Sequence, residues 1–156
     1  MNIVRAVAAD AGEIMTVQRA AYVSEAQLYD TTGFSALSEP MESVRSAIET
    51  ELVLVARVGP RIVGAVRGRI DGTVCHVERL VVAPDQQGQG VGRELMLAVE
   101  DHVPPSVERF ALHTGDRSTA NLHLYRKVGY EQTRAERVAD NLSLIHMEKP
   151  VTPTDR

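Results

Sequence analysis

Apolar positions change period several times along the chain, and each change marks an element. The opening stretch NIVRAVAAD is rich in β-formers with partial alternation, which predicts a strand. Asp10, followed three residues later by Glu13, has the spacing of a capping box and predicts a helix start. Ile14, Val17, Ala21 and Leu28 then share one helical stripe, and the turn-rich run YDTTGFSALSEP over residues 29–40 predicts that the chain leaves the helix. MESVRSAIET reads as a second helix with Met41, Val44, Ala47 and Ile48 on its apolar face.

The period then falls to two. LVLVARVGPRIVGAVRGRI holds two strand runs split by Gly59 and Pro60, and TVCHVERLVVA follows the turn pair Asp71 and Gly72, so three antiparallel strands in succession are predicted. Val91, Leu95, Ala98 and Val99 return to helical spacing, ending before Pro104 and Pro105. VERFALHT is a strand reached through that helix, which predicts a parallel pairing with the strand before it. STANLHLYRKVGY is a helix with Ser118 near its start, Arg126 and Lys127 in its last turn and Gly129 at the C′ position. YEQTRAERVA and LSLIHMEK form a closing hairpin about Asp140 and Asn141, and PVTPTDR reads as a frayed tail.

A length of 156 residues suits one domain, expected over residues 1–150 with 151–156 as tail. With 44% apolar and 24% charged residues, the composition is that of an ordinary globular protein. No apolar run approaches the ~18 residues of a membrane helix, and the first residues break off into charge before a signal-peptide core forms. A cytoplasmic protein without a membrane partner is expected. The single cysteine, Cys75, excludes an intrachain disulfide and is a poor seed for a metal site, so no metal is expected. The 17 basic residues are scattered in a chain of net charge −4, which argues against a nucleic-acid partner.

Between the third central strand and the next helix stands QQGQGVGREL. Gly88, Gly90 and Gly92 let backbone N–H groups turn inward, and the following helix offers further unpaired N–H groups at its positive end, a combination that binds phosphate. A Walker loop is excluded because no Lys-Ser/Thr pair follows, and a dinucleotide fingerprint because Arg93 occupies the third glycine position. On spacing alone the turn either holds phosphate or simply joins strand to helix.

Gln87-Gly88-Gln89-Gly90-Val91-Gly92 resembles the Gln/Arg-x-x-Gly-x-Gly/Ala signature of the GNAT superfamily of acetyl-CoA-dependent N-acetyltransferases. TGDRSTANLHLYRKVGY resembles that family's second segment, a helix that carries a tyrosine and closes on Leu-Tyr-x-x-x-Gly-Tyr/Phe. The resemblance covers roughly residues 52–130. It implies an α/β (α+β) fold: a mixed, mostly antiparallel sheet of about seven strands whose central parallel pair splays apart, flanked by about four helices. It implies acetyl-CoA (coenzyme A) as cofactor, its pantetheine arm beside the backbone of Leu80, Val81 and Val82. The pyrophosphate would rest on the amides of Gln87, Gly88, Gln89, Gly90, Val91 and Gly92, and Arg93 either adds charge there or solvates the helix. Homodimers are frequent in the family.

The same resemblance makes Tyr125 the general acid for the leaving thiolate; by spacing alone Tyr125 equally packs with Leu122 and Val128. Asn121 and Ser118, four and seven residues earlier, could face the same groove and bond the cofactor, or Ser118 could serve only as N-cap. For the base, period two places His76, Glu78, Leu80 and Val82 on one face, making His76 and Glu78 candidates beside the site or ordinary surface groups. His113, out of phase with Leu112 and Thr114, is a further candidate. The resemblance further implies that a backbone N–H near Val81 receives the oxyanion. Tyr22, Gln27, Tyr29, Asp30 and Glu39 could form a partly acidic lining for a cationic amine, or a solvated loop. The expected function is N-acetylation of a primary amine, of a small molecule, by direct attack. The alternatives are a non-catalytic acyl-CoA-binding regulator and acetylation of a protein or peptide amine.

Overall fold

Gly59 and Gly72, at φ of +58° and +61°, take the left-handed turns that let the central strands follow one another directly. In this computed structural model, which describes residues 1–152, β2 (Leu52–Val58), β3 (Arg61–Asp71) and β4 (Val74–Val82) are consecutive antiparallel neighbours. β1 (Asn2–Arg5) lies antiparallel outside β2. α4 (Val91–His102) carries the chain across the sheet, so β5 (Arg109–Gly115) pairs with β4 in parallel. The hairpin of β6 (Glu131–Ala139) and β7 (Leu142–Pro150) closes the sheet in the order β1-β2-β3-β4-β5-β7-β6.

Helices cover both faces. On one face α4 and α5 (Thr119–Lys127), with Val128 just past the end of α5, bury Leu95, Met96 and Leu122 against Val66, Phe110 and Met147. On the other, α1 (Ala11–Leu28) and α3 (Met41–Thr50) bury Ile14, Val17 and Val44 against Val53, Val55 and Ile62. Each such side chain contributes about 1.5–3 kcal/mol by leaving water. α4 lies close on the sheet because β3 offers Gly64 there: a Cβ at that position would stand 2.9 Å from Val91 and 3.0 Å from the Val81 carbonyl.

The expected mixed sheet of seven strands is present. A fifth helix, the four-residue α2 (Ser35–Ser38), lies in the stretch that the sequence marks only as turn-rich. The first helix begins at Ala11 without the expected capping box. Asp10 instead accepts the Val7 N–H at 2.9 Å and pairs with Arg57, while Glu13 accepts the Ile62 N–H at 2.7 Å and ties the helix to β3. Of the expected tail, Val151 is still held, donating to the Glu108 carbonyl at 2.9 Å; residues 153–156 lie outside the described residues. Among the described residues, no helix is long and apolar enough to cross a membrane.

Candidate active site

The sheet opens along its single parallel seam. β4 and β5 pair from Val74 and Arg109 as far as His76 and Ala111, and no further. Yet β4 continues against β3 to Val82, and β5 against β7 to Gly115. Each strand is therefore held from its outer side while the inner edges part, and backbone groups facing the gap have no ladder partner across it. A bulge marks the start of the gap on β4. Val81 opposes Ala65 and Glu78 opposes Arg67, so Arg79 and Leu80 together face Val66, with Arg79 at φ +54°.

That extra residue corrects the strand phase. His76 and Glu78 share a face with Val81, on the α1 side; Leu80 and Val82 fall with Cys75 and Val77 against the α4 and α5 core. β5 obeys simple alternation, so Phe110 and Leu112 enter the α4 core while His113 turns to the face of His76 and Glu78. β7 adds His146, which sequence reasoning missed; its ring centroid lies 5.5 Å from that of His113, and its Nε2 is 3.0 Å from Glu136. Burial, and then the neighbouring His146, push the His113 imidazole down from its ordinary value. Glu78 is held by Arg69, whose Nε and Nη2 donate to it at 3.2 and 3.1 Å.

At the far end of β4 the chain enters the glycine turn. Gly88 and Gly90 stand at φ +76° and +84°, and a Cβ on either would meet nothing within 4 Å, so backbone conformation rather than crowding demands glycine there. Gly92 serves closeness instead: a Cβ there would approach Leu124 of α5 to 3.2 Å. The first bond of α4 runs from the Glu94 N–H to the Gly90 carbonyl at 3.0 Å, which leaves the N–H groups of Val91, Gly92 and Arg93 without an intrahelical acceptor. With the positive helix end, these donors fit a pyrophosphate. The Arg93 side chain is exposed and lies 3.6 Å from its neighbour Glu94.

Tyr125 is buried with Leu122 and Val128, its ring 6.2 Å from that of Tyr130. Burial first, then Tyr22 and Glu25 of α1, raise its phenol far above the ordinary value. Those two groups stand on α1, which packs on the opposite face of the sheet, close enough to bear on the Tyr125 phenol.

On the α1 side, Gln18, Tyr22, Glu25 and Tyr29 recur at helical spacing and turn inward. Tyr29 is fully buried; its oxygen accepts the Arg117 N–H at 2.7 Å and its hydroxyl donates to Ser118 Oγ at 2.8 Å. Ser118 in turn donates to Glu25 at 2.6 Å, and Asn121 Nδ2 reaches the other Glu25 oxygen at 3.5 Å. Asn141 donates to the Tyr29 carbonyl. Glu25 thus joins Ser118 and Asn121, though nothing but its place on the inward polar stripe marked it in the sequence.

Glu39 is not an open lining. Arg67 donates to both its oxygens at 3.0 and 3.1 Å, Ser43 to one at 2.6 Å and Gln18 to the other at 3.0 Å. Burial alone would raise this carboxyl, but those hydrogen bonds override it and hold the group at about 2. Gln27 and Asp30 stand apart, at a surface depression bounded by Val23, Thr31 and Leu37.

Residues 19–151 match the family described as the acetyltransferase (GNAT) domain. The chain belongs to this family. The GNAT protein is 28% identical over 139 residues to the UPF0157 protein YqkA of Bacillus subtilis (strain 168), a match covering 88% of this chain and 40% of YqkA. It therefore spans well under half the length of that curated relative. Its fold is that of the ribosomal-protein-S18-alanine N-acetyltransferase from Escherichia coli, with a TM-score of 0.79 at 18% identity over 97% of this chain and 94% of that one. The PaiA N-acetyltransferase from Thermoplasma acidophilum, solved in complex with coenzyme A, aligns with a TM-score of 0.79 at 17% identity over 96% and 98% of the two chains.

Proposed function

We propose that this GNAT protein is a cytoplasmic N-acetyltransferase that moves the acetyl group of acetyl-CoA to the primary amine of a small molecule by direct attack. The observation that carries the reading is the gap between β4 and β5, with the glycine turn beyond the end of β4 and Tyr125 on the helix that follows β5. Acetyl-CoA supplies a thioester, whose acyl carbon is the electrophile and whose thiolate is the leaving group.

The N–H groups of residues 87–92 bind the pyrophosphate, and the backbone of Leu80, Val81 and Val82 lines the acyl arm, an N–H near Val81 polarising the carbonyl. Tyr125 keeps its proton through the neutral range, because burial, Tyr22 and Glu25 all oppose its ionisation; it is therefore a donor to the departing sulfur. His76 and Glu78, on the face from which the acceptor arrives, take the proton of the amine. His113 beside them is biased toward the neutral imidazole that can accept one. Asn121 serves as a further cofactor contact from α5, positioned by Glu25, while the buried Ser118 hydroxyl, held between Tyr29 and Glu25, fixes the start of that helix.

Thermal unfolding with and without acetyl-CoA, paired with a thiol-release screen over amines, tests the reading. A ligand at 100 times its dissociation constant stabilises a fold by about 2.7 kcal/mol, a readily seen rise in Tm. The expected result is a shift together with thiol release. A shift with no release for any small amine or peptide would favour an acyl-CoA-binding regulator, and no shift would refute the site altogether.

A further inference from the structure

On the acceptor side of the gap, the carboxylate that sequence placed in the lining is consumed within the protein. Arg67 takes Glu39 bidentately, and Ser43 and Gln18 fill its remaining acceptor positions. Arg79 is left with a contact of 3.5 Å to the same carboxylate and one hydrogen bond of 3.1 Å from Nη2 to Ser35 Oγ. Its side chain is 23% exposed where that of Arg67 is 9%. Glu25, the next carboxylate along α1, already accepts from Ser118 and Asn121.

Position gives this guanidinium its meaning. Arg79 is the bulge residue immediately before Leu80, Val81 and Val82, so its Cα lies at the mouth of the gap, and its side chain crosses to the α1 and α2 side. It holds φ +54°, a conformation unfavourable for a residue with a Cβ. Tyr22 stands beside it, packed on Phe34 with ring centroids 6.2 Å apart. Burial pushes the Tyr22 phenol up, and the adjacent Arg79 charge is the main influence opposing that. A guanidinium without a full-strength partner, flanked by two hydroxyls, is a planar fork suited to a carboxylate.

We infer that Arg79, with the hydroxyls of Tyr22 and Ser35, forms an anion subsite in the acceptor pocket, and that the acceptor is an amino-carboxylate, such as an amino acid, rather than a plain cationic amine. This rests on the acetyltransferase reading above. The carboxylate docks on Arg79 and directs the neighbouring amine toward the gap.

The test compares α-amino acids with their carboxamides and with the corresponding decarboxylated amines, by thiol release from acetyl-CoA. The expected result is a preference of tenfold or more in kcat/KM for the free carboxylate, expressed mainly in KM. Arg79→Gln abolishes that preference, Arg79→Lys retains part of it, and the Tm shift given by acetyl-CoA is the same in all three proteins. Arg79→Gly, which relieves the positive φ, guards against a folding artefact and loses the preference as Arg79→Gln does. Thermal shift of the CoA-saturated protein with amino acid against carboxamide gives the same comparison without turnover. Equal response to carboxylate and carboxamide, or a preference that survives Arg79→Gln, overturns the inference. Absence of any acetyl-CoA shift defeats the acetyltransferase reading instead, so the two failures are distinguishable.

Discussion

Replacing Glu39 by Gln removes the anion from the most buried ionic cluster among the described residues. Arg67 would be left 9% exposed, with Glu51 as its remaining carboxylate at 3.9 Å and its Nε without a hydrogen bond. Two routes give the cost. The Glu39 carboxyl is lowered from 4.5 to about 2, and at about 1.4 kcal/mol per unit that corresponds to about 3 kcal/mol. Breaking a buried pair by removing one partner costs about 3–5 kcal/mol, in agreement. Because the folded value is depressed, this stability is fully present above the unfolded value near 4.5 and is lost as pH falls toward 2. Urea unfolding of both proteins at a series of pH values reads this out. Glu39→Gln should be less stable by about 3 kcal/mol at pH 7, with the difference narrowing only below about pH 4.5. The double change Glu39→Leu with Arg67→Met should recover most of the loss, since an apolar pair needs no desolvated charge. A difference below about 1 kcal/mol at pH 7, against the expected cost, or a gap that stays constant from pH 6 to pH 3, would refute the reasoning.

Other perturbations separate chemistry from packing. Tyr125→Phe should lower turnover about 100-fold or more while leaving the acetyl-CoA thermal shift in place, which steady-state rates and melting curves would show together. Gly90→Val should lose the acetyl-CoA shift; the space around a Cβ is open, so the cause would be the φ of +84° that valine resists, and calorimetric titration with CoA checks it. Gly115→Ala places a Cβ 2.0 Å from the Tyr29 hydroxyl and should cost about 3 kcal/mol of stability through overpacking and a broken hydrogen-bond chain, measured by urea unfolding.

Much of the architecture was legible because it rests on local signals. Gly59 with Pro60 and Gly72 fix the central turns, and a strand entered through a helix had to run parallel to its predecessor. The glycine turn was legible for the same reason, since its conformation belongs to its own residues. Strand phase failed at Arg79, where Glu-Arg-Leu reads as unbroken alternation and an inserted residue leaves no trace in a period of two. Glu39 could not be placed from sequence, because the partners that bury it lie 28 and 21 residues away, at Arg67 and Gln18. His146 comes from a strand inserted beside β5 by the closing hairpin, a neighbour that chain order does not announce.

Tyr29 and Glu39 bracket the partly exposed stretch between them, and each is fastened by its side chain to the scaffold: Tyr29 to the turn that starts the tyrosine helix, Glu39 to β3. What lies between, residues 31–38, is consequently divided: Phe34 packs on Tyr22 and Tyr29, Ser35 meets Arg79, and the buried Ala36 gives its carbonyl to Gln18, while Thr32, Gly33 and Ser38 are exposed. For engineering a new acceptor preference, the two anchors and these three contact residues are the positions to preserve, and Thr32, Gly33 and Ser38 are where a library belongs.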